Sequence, residues 1–244
     1  MNNHHGQRGL GILSLLLWLV LYSQSVSGGS LYAFGNFING GPRPLYKINP
    51  TNGLITQTIT SAFVSGTGDL VGSGLAYGGG YLYGIGKSVN SGPRPLYKVN
   101  PTTGSIAQTV TSAFRPFGDD LGDLGLAYSG GYLYAFGFSV NSGPRPFYKI
   151  NPTNGSIAQT ITSSFQPLGN DIGNIGLAYG GGYLWAFGNS VNLAPRPLYK
   201  INPANGSIAQ IITSVFVKGR GDVGNFGLAY GRRLFVCVWL WGPQ

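Results

Sequence analysis

The chain has 244 residues, 43% of them hydrophobic, with 42 glycines, 15 prolines, one cysteine and a net charge of +9. A single cysteine excludes an intrachain disulfide, so packing has to supply the stability. The six acidic residues are all aspartate and the two histidines, His4 and His5, stand at the extreme N-terminus, which argues against Ser-His-Asp or Cys-His chemistry and a histidine metal centre.

In chain order the first element predicted is a removable leader. Arg8 supplies a positive start, Leu10 to Tyr22 an apolar stretch, and Ser25-Val26-Ser27 a small-x-small cleavage site before Gly28. This is the layout of a secretory signal over residues 1–27, and a spanning helix needs roughly 20 apolar residues. The expectation is therefore a secreted, periplasmic or cell-surface protein with no stable membrane span after cleavage. Both histidines leave with the leader.

Residues 28–231 consist of four near-copies of one unit. Pro-Arg-Pro begins at Pro42, Pro93, Pro144 and Pro195, and Gly-Leu-Ala-Tyr at Gly74, Gly125, Gly176 and Gly227, each 51 residues apart. The units run at about 31–80, 81–131, 132–182 and 183–231. A fixed period of this size signals supersecondary units that bury their apolar faces only against one another. Basic residues recur one or two per unit without forming a run, so nucleic-acid binding is not expected.

Within the second copy, Gly74 to Tyr77 is a short apolar strand and Gly78-Gly79-Gly80 a turn. Tyr81 to Ile85 is a second strand, Lys87 to Gly92 a polar loop, Leu96 to Val99 a third strand and Ile106 to Thr111 a fourth. Aromatic and β-branched residues between Gly, Pro and Asn mark strands, and no segment has helical periodicity. Asn100-Pro101-Thr102-Thr103-Gly104 is a turn: Pro presets φ and Gly accepts the positive φ at its end. Four strands in about 50 residues, repeated, predict an all-β propeller of four four-stranded blades.

Gly-Leu-Ala-Tyr-Gly-Gly-Gly-Tyr-Leu-Tyr followed by Pro-Leu-Tyr-Lys-Val-Asn-Pro-Thr-Thr-Gly-Ser-Ile resembles the repeat of bacterial extracellular β-propellers of the NHL and YVTN type, over residues 31 to 231. The resemblance implies a fold and leaves the activity open, since such propellers include lyases, lactonases, lectins and interaction scaffolds. It places Gly-Leu-Ala-Tyr innermost and Ile-Ala-Gln-Thr outermost in each blade. The chain enters at a second strand, Leu31, so the fourth Gly-Leu-Ala-Tyr is expected to complete the first blade and close a ring of four. Where the family carries Asp before Pro-x-Thr-Gly this chain has Asn49, Asn100, Asn151 and Asn202, which retain the side-chain turn hydrogen bond.

After Gly231 the repeat breaks, and residues 232–244 read as an aberrant tail. Codons compatible with the tail, read one base out of register, restore Gly-Gly-Tyr-Leu-Tyr-Val-Phe-Gly. The tail is thus expected to be a frameshift product of a gene with five or more units.

Two recurrent sets are candidate ligand groups. Asp69, Asp120, Asp171 and Asp222 precede the innermost strands, and Arg43, Arg94, Arg145 and Arg196 occupy the loop between second and third strands. The resemblance brings both loops to one channel mouth. Arginine–carboxylate pairing within the scaffold is the plainer role. A hard cation or polar ligand is the sharper one, with one carboxylate per blade giving thin coordination. Tyr77, Tyr83, Tyr97 and Phe114 with their copies serve packing, or stack on sugars in grooves between blades, with Asn90, Ser91, Asn141, Ser142 and Asn192 as nearby donors and acceptors. The function expected is a binding or interaction scaffold without catalysis, cofactor or metal, its partners being glycans or an extracellular protein. The alternatives are a lectin with one weak site per blade, and a truncated relic of a longer propeller enzyme.

Overall fold

The computed structural model describes residues 25–27, 29–35, 41–64, 70–88, 90–114, 125–138, 143–165, 176–188, 195–217, 228–231 and 234–237, and among these there is no helix. The strands fall into four antiparallel sheets of four. The first holds β1 (Ser25–Ser27), β2 (Ser30–Phe34), β3 (Pro44–Ile48) and β4 (Ile55–Thr60); the second β5 (Leu70–Gly78), β6 (Tyr81–Gly86), β7 (Pro95–Val99) and β8 (Ile106–Thr111). The third holds β9 (Ala127–Ser129), β10 (Tyr132–Phe136), β11 (Pro146–Ile150) and β12 (Ile157–Thr162); the fourth β13 (Ala178–Gly180), β14 (Tyr183–Phe187), β15 (Pro195–Ile201) and β16 (Ile208–Val217). Spatial order follows chain order in every sheet, the meander that tight turns between successive strands produce. These sheets are the blades of a four-bladed β-propeller. A further two-stranded sheet, β17 (Leu228–Gly231) with β18 (Leu234–Cys237), follows them.

The innermost strands make the hub. β5 touches β1 and β9, β13 touches β9 and β17, and β17 touches β1, so the contacts form a closed circuit. Glycine makes the close approach feasible. A Cβ on Gly74 would fall 2.4 Å from the backbone nitrogen of Leu126, and one on Gly125 2.0 Å from that of Leu177.

Ring closure differs from the expectation. The fourth Gly-Leu-Ala-Tyr does not complete the first blade, because β1 already holds the innermost position there, paired as Val26↔Leu31. The cause lies in the sequence: Gly28-Gly29 precedes Gly79-Gly80 by one 51-residue period, so the first blade carries the same hairpin turn as the second. Gly29 and Gly80 both adopt positive φ, +92° and +83°. The repeat therefore reaches back to Ser25, inside the segment read as a leader. At the other end the strand pattern continues past Gly231. Leu234 pairs with Gly231 as Tyr183 pairs with Gly180, one period earlier. Residues 1–24 of the leader and 238–244 of the tail lie outside the described residues.

Side chains alternate between the two faces of each blade, and both faces are buried. In the second blade Leu82, Tyr97 and Val99 pack toward the first blade with Phe34 and Phe63, whereas Tyr83, Ile85 and Leu96 pack toward the third with Leu133 and Tyr148. This explains strands that read as nearly continuous apolar runs. The outermost strands β4, β8 and β12 are mostly exposed and Thr- and Gln-rich, as suits a free edge.

Candidate functional site

Arg43, Arg94 and Arg145 sit in the loop between second and third strands, whereas Arg196 falls within β15, which begins two residues earlier in the repeat than the other third strands. The Arg43 backbone N–H donates to Phe63 O at 2.8 Å, Arg94 to Phe114 O at 2.7 Å and Arg145 to Phe165 O at 2.8 Å. Each of those arginine carbonyls accepts the hydroxyl of Ser61, Ser112 or Ser163. The guanidinium Nη1 of Arg43, Arg145 and Arg196 donates to Gly35, Gly137 and Gly188 O at 3.3, 3.4 and 3.3 Å. Arg43 is 4% exposed and Arg196 7%, so both side chains are buried within their blades. Asp69, Asp120, Asp171 and Asp222 lie outside the described residues. Among the described residues no group of three His, Cys, Asp or Glu side chains is placed to hold a metal ion.

The aromatic set divides by position. Tyr97 and Phe114 are buried and lock one blade to the next: the Phe63–Tyr97, Phe114–Tyr148 and Phe165–Tyr199 ring centroids lie 5.1, 5.1 and 5.0 Å apart, edge to face. Tyr83 is also buried and stacks on Tyr128 of the next blade at 5.6 Å, as Tyr32 stacks on Tyr77 at 6.3 Å. Gly78 leaves the room for this, since a Cβ there would fall 1.9 Å from the Tyr128 ring. Packing is the role of these rings.

A half-buried rim remains at the end of each seam. At the junction of blades two and three, Tyr81 and Tyr128 cover the core, and the Lys98 ammonium sits 4.0 Å from the Tyr81 ring centroid. At the next junction Lys149 lies 4.1 Å from the Tyr132 centroid, with Tyr179 beside it on the same core. In the fourth blade Lys200 lies 4.0 Å from Tyr183 and 5.7 Å from Trp185, whose indole N–H donates to Gly180 O at 3.0 Å. In the first blade Ser30 takes the place of the capping tyrosine. The strand register causes the arrangement: Lys98 lies opposite Tyr83, and Tyr81 is two residues from Tyr83 on the same face. An ammonium on a ring face is held electrostatically, by about 0.5–1 kcal/mol at an exposed site.

The hydroxyls respond to this crowding. Burial raises Tyr83, and the neighbouring Tyr128 and Tyr81 raise it further; burial raises Tyr134 likewise, with Tyr179 and Tyr132 adding to it. In these three blades the seam end thus sets tyrosine rings and hydroxyls around one lysine side chain. That combination offers ring faces for C–H packing, hydroxyls that donate and accept, and one cation. The lysines were missed from the sequence because they lie in the third strand, 17 residues from the rings they cover.

No protein-family model and no curated protein matches the chain. Solved structures do resemble it. An engineered GH43 glycoside hydrolase with endo-xylanase and exo-arabinofuranosidase activity superposes with a TM-score of 0.55 at 14% identity, covering 90% of this chain and 47% of the other. The exo-β-1,3-galactanase of Phanerochaete chrysosporium, solved with β-1,3-galactotriose, gives 0.51 at 10% identity over 78% of this chain and 49% of its own. A Dos1 propeller gives 0.43 at 12% identity, covering 86% and 50%. The chain thus spans about half the length of these structures. The likeness corrects the expectation of a non-enzyme: the architecture is shared with glycoside hydrolases. At these identities the likeness is one of fold.

Proposed function

We propose that this four-bladed propeller is an exported saccharide-binding module whose sites are the lysine–tyrosine seam ends, with acidic saccharides favoured. The observation that carries the reading is the recurrence of one constellation in three blades: Lys98 over Tyr81, Lys149 over Tyr132 and Lys200 over Tyr183, at 4.0, 4.1 and 4.0 Å. Packing alone needs a ring there and no cation. Three like sites on one body suit a repetitive polymer, because weak sites gain avidity when engaged together. The net charge of +9 points to an acidic ligand. Export rests on the leader pattern, and NHL/YVTN-like kinship on the Asn-Pro-x-x-Gly turn and the Gly-Leu-Ala-Tyr strand.

An array of neutral and acidic glycans tests the reading. Retention of acidic saccharides is expected, with about tenfold weaker binding when Lys98, Lys149 and Lys200 are together replaced by Gln. An array with no saccharide retained, or binding indifferent to those three changes, refutes it. Product analysis of the retained saccharides separates binding from turnover.

A further inference from the structure

In three of the four turns that join a third strand to a fourth, the pair at the tip is Asn-Gly: Asn52-Gly53, Asn154-Gly155 and Asn205-Gly206, with Thr103-Gly104 in the second blade. All three asparagines are exposed. Each amide oxygen accepts the N–H two residues on, from Leu54 at 3.1 Å, Ser156 at 3.0 Å and Ser207 at 3.0 Å. The ring that each bond closes contains both the side-chain Cγ and the backbone nitrogen of the glycine, and the bond leaves the carboxamide carbon more electrophilic. Glycine has no Cβ to obstruct the approach of its own nitrogen to that carbon.

The turns differ in what holds the glycine. Gly155 and Gly206 are buried, and their carbonyls accept N–H groups of the preceding blade, from Ala113 at 3.0 Å and Ser164 at 3.5 Å. Gly53 is exposed, and a Cβ built on it would meet nothing within 4 Å. We infer that Asn52 is a site of spontaneous deamidation, converted to isoaspartate and aspartate ahead of Asn154 and Asn205. The Gly53 nitrogen loses its proton to solvent and attacks Cγ of Asn52; the N–Cγ bond forms, the Cγ–Nδ2 bond breaks and ammonia leaves. Water then opens the resulting five-membered imide at either carbonyl, giving aspartate or a main chain rerouted through Cβ. Water is consumed, ammonia is released and no oxidant or reductant enters.

Two effects compete at the slower sites. The Ser156 and Ser207 hydroxyls also donate to the amide oxygens, at 2.8 and 2.7 Å, which favours attack. Attack requires the glycine peptide to move, however, and in those turns its bond to the neighbouring blade has to open first. Opening a packed seam outweighs an exposed hydroxyl that water can replace. The isoaspartyl product lengthens the first blade's turn by one main-chain carbon. The bonds from Asn49 N–H to Leu54 O at 2.9 Å and from Gly53 N–H to Asn49 O at 2.8 Å then lose their common register, and the β3–β4 hairpin loosens at its end. Either product lowers the net charge by one. This site is separate from the lysine–tyrosine seams, and neither reading depends on the other.

The test incubates the full chain in mildly alkaline buffer, which favours loss of the amide proton, and follows the three turns by peptide mass spectrometry. Asn52 should convert about tenfold faster than Asn154 or Asn205, the difference that one additional hydrogen bond imposes on local opening. An isoaspartate-specific methyltransferase should label the Asn52 peptide. Asn52→Thr, the residue found at this place in the second blade, should abolish the early charge change without lowering the thermal midpoint. An Asn52 that keeps its amide while the urea-unfolded chain converts overturns the inference. So does conversion of Asn154 or Asn205 as fast as Asn52, or aspartate formed with no isoaspartate beside it.

Discussion

Asn151 shows how one side chain shapes a turn. Its Oδ1 accepts the Thr153 N–H at 2.9 Å, and the Gly155 N–H donates to its carbonyl at 2.8 Å. The same side-chain bond recurs at Asn49, Asn100 and Asn202 at 2.8, 2.8 and 2.9 Å, so Asn fills the Asp position of the resemblance without loss of the bond. Gly155 closes the turn at φ +70°, and a Cβ there would fall 2.9 Å from the Ser112 Cα of the preceding blade. Gly155→Ala should therefore cost more than Asn151→Ala: roughly 1–3 kcal/mol for the strained backbone against about 1 kcal/mol for the lost acceptor. Denaturant midpoints of the two variants decide the order. Phe114, fully buried at a blade junction, should cost about 3–5 kcal/mol on truncation to Ala, read as a fall in thermal midpoint. The tyrosines predict an alkaline limit. Tyr32, Tyr46, Tyr83 and Tyr134 are raised above 10.0 in the fold, with burial the chief cause. Their contribution to stability is fully present below 10.0 and is lost as pH climbs through the raised folded values. Phenolate absorbance should thus lag that of the unfolded chain and rise together with loss of β-sheet circular dichroism.

β1 is the element with the largest consequence for maturation. It pairs with β2 through Ser25↔Tyr32, Val26↔Leu31 and Ser27↔Ser30 and contacts both β5 and β17. Cleavage after Ser27 would remove it and open the hub between the first blade and its neighbours. Retaining β1 in an exported protein requires processing at or before Gln24. N-terminal sequencing of secreted material is the check, and Ser25 or an earlier residue is the expected start. A start at Gly28, in protein that remains folded, would show that the first blade does without this strand. The outer rim depends on different elements: Ala62 N–H donates to Gly104 O at 3.1 Å, and Ala113 N–H to Gly155 O at 3.0 Å. The third-to-fourth-strand turns of the second and third blades are thereby fastened to the end of the preceding blade's outermost strand.

For the molecule as a whole, stability is shared between neighbours around a circuit, because among the described residues three apolar clusters each draw on two blades and a fourth joins the last blade to Leu228 of β17. A repeat in such an array is stable only when its faces are covered. A chain ending at Val217 loses β17 and uncovers β13 and β1 together. Its thermal midpoint should fall by several degrees, at about 2–4 °C per kcal/mol for a chain of this size. An unchanged midpoint would show that the half-blade contributes nothing to closure.

The strands within the repeats, their turns, the blade count and the polar outer edges were legible in the residues, since they follow from local propensity and a strict 51-residue period. The Asn-Pro-x-x-Gly turn is an example: its bonds join residues at most five apart. Two features were not legible. The lysine–tyrosine seam ends arise from strand register, which sets Lys98 against a ring 17 residues earlier in the chain. Closure of the hub was misread because a three-residue strand of Ser and Val carries almost no propensity signal; Ser25–Ser27 becomes a strand only through pairing with β2 and flanking by β5 and β17. Short-range chemistry thus determined what each unit is. Long-range packing alone decided which units meet, and where the ring begins and ends.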